Sequence, residues 1–264
     1  MYEPLSKNFL LKRGYCCNNG CKNCPYKKIT KMITVYTIAY NEEVMLPFFI
    51  KWYRERFPDC KIVIYDNEST DNTVKIALEN NCEIISFNTN NKFEDAVNMY
   101  IKNTCWKVAS TSWVVVCDAD ELLSIDQNTL IEEDKKGTTI ISTQGWNMVN
   151  KDELTDIEQI QFGFKYDYQS KKILFNKEKI KEMNYDPGAH NIRPIGDVKY
   201  SEKIYSLCHF KYLSEDYLVN RYKLLQSRLS ETNKRYGWGV HYNTSEENIR
   251  QSYKNSKNIL SKIL

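Results

Sequence analysis

The sequence predicts an α/β fold, a mainly parallel sheet flanked by helices, followed by a C-terminal helical extension. Three observations carry this prediction. Short apolar, β-rich runs alternate with helical patterns between residues 33 and 117, and such alternation is typical of βαβ units. Polar side chains follow directly after three of these runs. From residue 216 onward the apolar residues recur mostly at helical spacing.

The first half of the chain predicts four strands and three helices. Strands are expected at residues 33–39, 61–65, 83–87 and 113–117. Helices are expected at residues 42–57, 69–79 and 93–108. Ser69 or Thr70 can cap the second helix, because a side-chain oxygen there accepts a backbone N–H that the helix leaves unpaired.

The pattern is looser in the second half. Strands are expected at residues 138–146, 160–168, 171–175 and 201–213, and a loop at 183–193. Helices are expected at residues 218–236 and 245–264. We therefore divide the chain into a cysteine-rich knuckle (1–30), an α/β domain (31–215) and C-terminal helices packed on it (216–264).

Composition excludes several classes of protein. The 264 residues are 42% hydrophobic, which argues against a disordered chain. With 37 basic and 34 acidic side chains the chain lacks the strongly basic balance of a nucleic-acid binder. No apolar run approaches a membrane span, and no signal peptide is visible. Nine cysteines, an odd number, favour a reducing compartment, and we expect a cytoplasmic protein.

The polar segments after three strands are the expected site of chemistry. In parallel sheets, ligands bind beyond the carboxyl ends of the strands. Asp118 and Asp120 directly follow the fourth strand, and paired carboxylates suit Mg²⁺ or Mn²⁺. A solvated turn is the alternative reading of such a triplet. No G-x-G-x-x-G or G-x-x-x-x-G-K motif occurs, which argues against a nucleotidyltransferase with a glycine-rich phosphate loop.

Three segments in order resemble family 2 glycosyltransferases of the GT-A fold, in a branch similar to family 92. They are VYTIAYNEE (35–43), YDNESTDNT (65–73) and VCDADE (116–121). The resemblance covers about residues 32–242. It implies a nucleotide-sugar-binding fold and a metal-dependent sugar transfer to an acceptor hydroxyl, with inversion. A UDP-sugar is the favoured donor; the acceptor, whether glycan, lipid or protein, is not specified.

The same resemblance implies roles for single residues. The donor-binding set is Tyr40, Asn41, Glu42, Asp66 and Asp118. Tyr40 can stack on a base, and Asp66 can accept a hydrogen bond from a ring N–H or a ribose hydroxyl. Interior packing of Tyr40 and helix capping by Asp66 are the alternatives.

The resemblance also implies a metal site and a general base. The metal ligands are Asp118, Asp120 and His209, with His190 as a rival ligand. Inverting transfer needs a general base for the acceptor hydroxyl. Asp186 is our candidate; the other options are Glu182 and Asp197.

The N-terminal cysteine quartet consists of Cys16, Cys17, Cys21 and Cys24. Four thiolates satisfy a tetrahedral zinc site by count, and an iron–sulfur cluster or free thiols are the alternatives. The segment resembles a short, uncharacterised cysteine-rich domain that ends in Cys-Pro-Tyr. A second function therefore stays open: a non-catalytic nucleotide-sugar-binding protein with a metal-stabilised N-terminal interaction module.

Overall fold

The computed structural model describes residues 6–12, 33–154 and 156–264. The predicted metal site of the N-terminal cysteine quartet lies outside these residues. Nowhere in the described part does a helix have the length and apolarity needed to cross a bilayer.

Twelve strands and eight α-helices form within the described residues. The strands are β1 (Ile33–Ala39), β2 (Lys61–Asp66), β3 (Glu83–Ser86), β4 (Trp113–Asp118), β5 (Glu121–Leu123), β6 (Ile140–Val149), β7 (Phe162–Lys165), β8 (Leu174–Asn176), β9 (Ile180–Glu182), β10 (Ile195–Gly196), β11 (Tyr200–Tyr212) and β12 (Ser261–Lys262). The helices are α1 (Lys7–Lys12), α2 (Leu46–Arg56), α3 (Thr73–Glu79), α4 (Asp95–Thr104), α5 (Gln127–Lys135), α6 (Glu215–Arg228), α7 (Glu231–Tyr236) and α8 (Glu246–Ser256).

Ten of the strands form one sheet, and the predicted α/β fold is confirmed. Eight follow the order β12-β7-β6-β8-β4-β1-β2-β3, with β11 joined to β6 and β5 joined to β11. The strands β4, β1, β2 and β3 run parallel, as the alternating pattern predicts. The pairs β4–β8, β6–β7 and β7–β12 are antiparallel. The parallel run β4-β1-β2-β3 therefore comes from the first half of the chain, where helices connect successive strands, and β6 and β11 of the second half form a further parallel pair.

Helices cover both faces of β1, which explains why its sequence is an almost continuous apolar run. On one face Val35 packs in the main core with Phe49 and Tyr53 of α2. On the other face Tyr36 packs with Ile101 of α4 and with Trp106 in the following 3-10 turn. A third, smaller core joins α6 and α8 to the ends of β6 and β11.

Several predicted helices differ in their bounds from the observed ones, among them the first, which is predicted at 42–57 and observed as α2 from Leu46. The helix predicted to begin near Ser69 begins at Thr73, and Ser69 Oγ instead accepts a hydrogen bond from the backbone N–H of Asn41 (3.0 Å). The helix predicted at 218–236 is broken where Ser230 caps α7 through the backbone N–H of Asn233 (3.0 Å). The final helix ends at Ser256, and the chain continues into β12, which pairs with β7.

Candidate functional site

The candidate site lies at the sheet edge where β1, β2 and β4 end. In the strand register Ala39 pairs with Asp66, and Ile38 pairs with Asp118. The polar segments that follow these strands therefore meet, which is the juxtaposition that the sequence predicts.

Asp66 is a buried carboxylate with one unpaired oxygen. Its side chain is 4% exposed. Oδ2 accepts a hydrogen bond from the backbone N–H of Ser69 (3.1 Å), while Oδ1 has no donor among the described residues. A buried acceptor without a donor costs about 1–3 kcal/mol, so a ligand N–H or O–H would remove a real penalty.

The loop after β1 is braced from α6. Arg221 donates to the backbone carbonyls of Tyr40 (3.2 Å) and Asn41 (3.4 Å), and it forms an ion pair with Glu42. Burial raises the pKa of Glu42 to about 7, against the opposing charge of Arg221. The Glu42 carboxylate thus already has an internal partner, and its predicted donor contact stays a prediction.

Asn41 and Tyr40 are both held by side chains from other segments. Asn41 adopts a positive φ of 53°, and its Oδ1 accepts from the backbone N–H of Thr70 (2.8 Å). The Tyr40 hydroxyl donates to Oδ1 of Asn91 (2.9 Å). The guanidinium of Arg228 lies over one face of the Tyr40 ring, 3.1 Å from its centroid.

Two lysines from different segments form ion pairs with Asp118. Lys102 Nζ, from α4, lies 2.6 Å from Oδ1, and Lys171 Nζ lies 2.9 Å from Oδ2. Lys171 also contacts Oε1 of the buried Glu121 (2.5 Å). Burial alone would raise the pKa of Asp118, but the charges of the two lysines outweigh it and hold the pKa well below its usual range.

The lysine pair limits what Asp118 can do. Both carboxylate oxygens of Asp118 already accept hydrogen bonds from ammonium groups, so Asp118 is poorly suited to bind a metal ion. Its side chain is nevertheless 37% exposed, and each oxygen keeps a second lone pair for a hydroxyl. The arrangement fits a hydrogen-bond acceptor, which differs from our expectation that Asp118 is also a metal ligand.

Asp120 and His209 face each other across a short gap. His209 Nε2 lies 3.2 Å from Oδ2 of Asp120. His209 Nδ1 is 2.7 Å from Oδ1 of the buried Asn147, a distance at which Nδ1–H donates to the amide oxygen.

This pair fits a divalent cation. His209 Nδ1 also lies 3.2 Å from the amide nitrogen of Gln169, so the role of each ring nitrogen depends on the tautomer. In the tautomer in which Nδ1–H donates to Asn147, Nε2 carries the lone pair and can bind a cation together with the Asp120 carboxylate. Within residues 6–12, 33–154 and 156–264, no three His, Cys, Asp or Glu side chains converge to hold a cation by themselves. A cation held by Asp120 and His209 would take its other ligands from oxygens of a bound molecule.

The loop with Asp186 and His190 packs against α4. Asp186 forms a two-point ion pair with Arg193 (2.7 and 3.1 Å). His190 stacks on Tyr168, with ring centroids 3.7 Å apart, and its Nδ1–H donates to the Tyr168 carbonyl (2.8 Å). Burial lowers the pKa of His190 to about 3, so the imidazole is neutral at neutral pH.

Lys102 and Lys171 are the site residues that sequence reasoning missed. Lys102 interrupts the apolar face of a predicted helix, and that interruption is a signal that could have been read. Lys171 stands beside Lys172 at the start of a predicted strand, which carries no such signal. The segment that carries Lys171 passes close to β6. This approach is possible because Gly145 lacks a side chain; a Cβ at this position would collide with the backbone of Gln169.

Comparison with known proteins gives two family matches. Residues 34–193 match the model described as Glycosyl transferase family 2. Residues 5–30 match the model of a family of unknown function (DUF5522). No curated protein sequence matches the chain.

The chain is also similar to solved structures at low identity. For TarS from S. aureus, the identity is 13% and the TM-score 0.42, over 85% of this chain and 43% of that one. For TarS residues 1–349 in complex with UDP-GlcNAc, the identity is 14% and the TM-score 0.43, over 85% and 72% of the two chains. For glucosyl-3-phosphoglycerate synthase from Mycobacterium tuberculosis with Mn²⁺, UDP and phosphoglyceric acid, the values are 16% and 0.33, over 44% and 43%. The chain thus spans less than half of two of these proteins.

Proposed function

The chain belongs to glycosyl transferase family 2, and from that premise we propose that it transfers a sugar from a nucleoside-diphosphate sugar to an acceptor hydroxyl. The observation that carries the proposal is the Asp120–His209 pair, which lies at the same sheet edge as the unpaired oxygen of Asp66. The Asp120–His209 pair suits the diphosphate end of a donor, and the Asp66 oxygen suits its nucleoside end. The more specific family 92-like branch stays a prediction.

The metal-dependent part of the proposal assigns Asp120 and His209 as the ligands of Mg²⁺ or Mn²⁺. Such an ion, when bound, neutralises the charge that develops on a leaving diphosphate. Asn147 orients the His209 ring by accepting from Nδ1, so that Nε2 faces the site. Because Asp118 is neutralised by two lysines, we assign it to a ribose hydroxyl rather than to the metal.

The nucleoside end is proposed to lie between Tyr40 and Asp66. Oδ1 of Asp66 would accept from a ring N–H, which uracil has and which makes a UDP-sugar the proposed donor. The sugar is expected to be a hexose. Arg221 holds the loop that carries Tyr40 and so fixes the width of this cleft.

Asp186 remains the proposed general base for an inverting, in-line displacement. As the acceptor oxygen attacks the anomeric carbon, its proton passes to a carboxylate, and the bond to the diphosphate oxygen breaks. The two-point pairing with Arg193 occupies both carboxylate oxygens of Asp186, so the acceptor would have to displace that guanidinium.

The test uses the full chain. UDP- and GDP-sugars are screened for binding and for release of free nucleotide, with and without Mn²⁺, in the wild type, Asp120→Asn and His209→Ala. Asp59→Asn is the matched control, because Asp59 is an exposed carboxylate before β2, at the other end of that strand. We expect turnover only with the metal, and a loss of about a hundredfold or more in both site variants.

Two outcomes would contradict the proposal in different ways. Turnover in Asp120→Asn that matches Asp59→Asn would refute the metal site. Tight binding of nucleotide sugars without turnover across a panel of glycan, lipid and protein acceptors would support the binding protein that the sequence left open.

A further inference from the structure

Arg228 is a buried cation without a carboxylate partner among the described residues. It is the last residue of α6 and is 4% exposed. Its Nε donates to the carbonyl oxygen (3.2 Å) and to Oδ1 (3.1 Å) of Asn91, while its buried Nη2 has no acceptor in the described part of the chain. Burial lowers the pKa of its guanidinium to about 10. Keeping such a group is costly unless something else compensates the charge.

The face of the Tyr40 ring supplies that compensation. The guanidinium carbon lies 3.1 Å from the ring centroid, a cation–π contact worth up to about 2 kcal/mol when desolvated. The Tyr40 hydroxyl donates to the same Asn91 oxygen that accepts from Arg228. The ring is therefore held at two points, on one face and at its edge.

The other face of Tyr40 has no stacked ring or cation among the described residues, and the side chain is only half-buried. Tyr40 directly follows β1, next to the strand that ends in Asp66. We infer that Arg228 is a positioning residue, which holds Tyr40 as a stacking platform for the base of a nucleoside diphosphate donor. This inference rests on the proposed function. A ring fixed in advance loses less conformational entropy when a base stacks on it.

The test isolates the base by using uridine, which has no phosphate, beside UDP with Mn²⁺. Binding is measured by calorimetry for the wild type, Arg228→Met, Tyr40→Leu and the double variant. Arg235→Met is the matched control, because Arg235 also lies over a tyrosine, Tyr236 at 5.8 Å, but is exposed.

Each single variant is expected to lower the affinity for uridine and the affinity for UDP by the same factor, about tenfold. The double variant should lose about tenfold and not a hundredfold, because Arg228 acts through Tyr40. Arg235→Met should bind like the wild type.

Asn91→Gly provides a second variant that preserves the fold. Asn91 is exposed and has a positive φ of 57°, which glycine adopts without strain. Removing its side-chain amide should lower the affinity for uridine about threefold, since the Tyr40 ring then loses one of the two contacts that hold it.

The outcomes separate this inference from the proposed function. Uridine affinity unchanged in Arg228→Met, or losses that multiply in the double variant, would overturn the role of Arg228 while UDP binding in the wild type still supports the transferase. A wild type that binds neither uridine nor UDP would overturn the proposed function and this inference with it.

Discussion

Replacing Lys171 by methionine should destabilise the protein strongly. The ammonium contacts Asp118 (2.9 Å) and Glu121 (2.5 Å), and Lys171 and Glu121 are almost wholly buried, at 3% and 1% side-chain exposure. Methionine keeps the length of the side chain but leaves Glu121 as a buried charge without its cation. Breaking a buried pair in this way costs about 3–5 kcal/mol.

The assay is urea unfolding at pH 7, with a double-mutant cycle that adds Glu121→Gln. Lys172→Met is the matched control, because the neighbouring Lys172 donates only to backbone carbonyls within the described residues, with Ser170 O at 2.8 Å and Thr143 O at 3.5 Å. Its replacement should cost about 1 kcal/mol. In the double variant no carboxylate is left uncompensated at Glu121. We therefore expect about 1–3 kcal/mol of the loss to be recovered.

The effect should also depend on pH. Burial raises the pKa of Glu121 even in the wild type, where Lys171 opposes the rise. Without Lys171 the folded variant binds a proton there more readily than its unfolded chain does. The stability gap to the wild type should then narrow as the pH falls toward 5. Equal losses of unfolding free energy in Lys171→Met and Lys172→Met would refute the reasoning.

Three further predictions follow from the structure and the sequence. Asp66→Asn should weaken uridine binding about tenfold or more with little change in kcat, because the lost acceptor serves binding and not chemistry; unchanged affinity in calorimetry would contradict it. Burial raises the pKa of Asp95 to about 6 against Lys102, so wild-type stability relative to Asp95→Asn should fall by about 2–3 kcal/mol between pH 4 and 7 in urea titrations. The N-terminal cysteine quartet should hold about one equivalent of zinc or iron, which elemental analysis of protein purified under reducing conditions would detect and a chain starting at residue 31 would lack.

The strands of the parallel half could be predicted almost to the residue, because each is a short apolar run bounded by polar segments. The run at 113–117 is one residue shorter than β4, and β1 matches its prediction. β5 and α5 were not predicted. β5 has only three residues, and α5 buries only two of its nine side chains, so neither has a hydrophobic pattern that stands out from the loop.

The individual carboxylates of the site could be predicted, but not their partners. Asp118 and Asp120 stand out because they follow an apolar strand. Whether such a carboxylate is available to a metal depends on cations that arrive from elsewhere, and Lys171 lies 53 positions away along the chain. Pairing at that distance is set by the packing of β6, β8 and the segment between them, which a single sequence does not reveal.

The bracing of the β1 loop by Arg221 also has a consequence for how the protein is made. Arg221 and Glu42 are separated by 179 positions, so nearly the whole described chain must leave the ribosome before this ion pair can close. The parallel strands can assemble earlier, since their contacts are closer in sequence. The β1 loop is therefore expected to reach its final form later than the parallel strands, and a nascent chain that ends before α6 should form those strands without the affinity for a nucleotide that we propose for this loop.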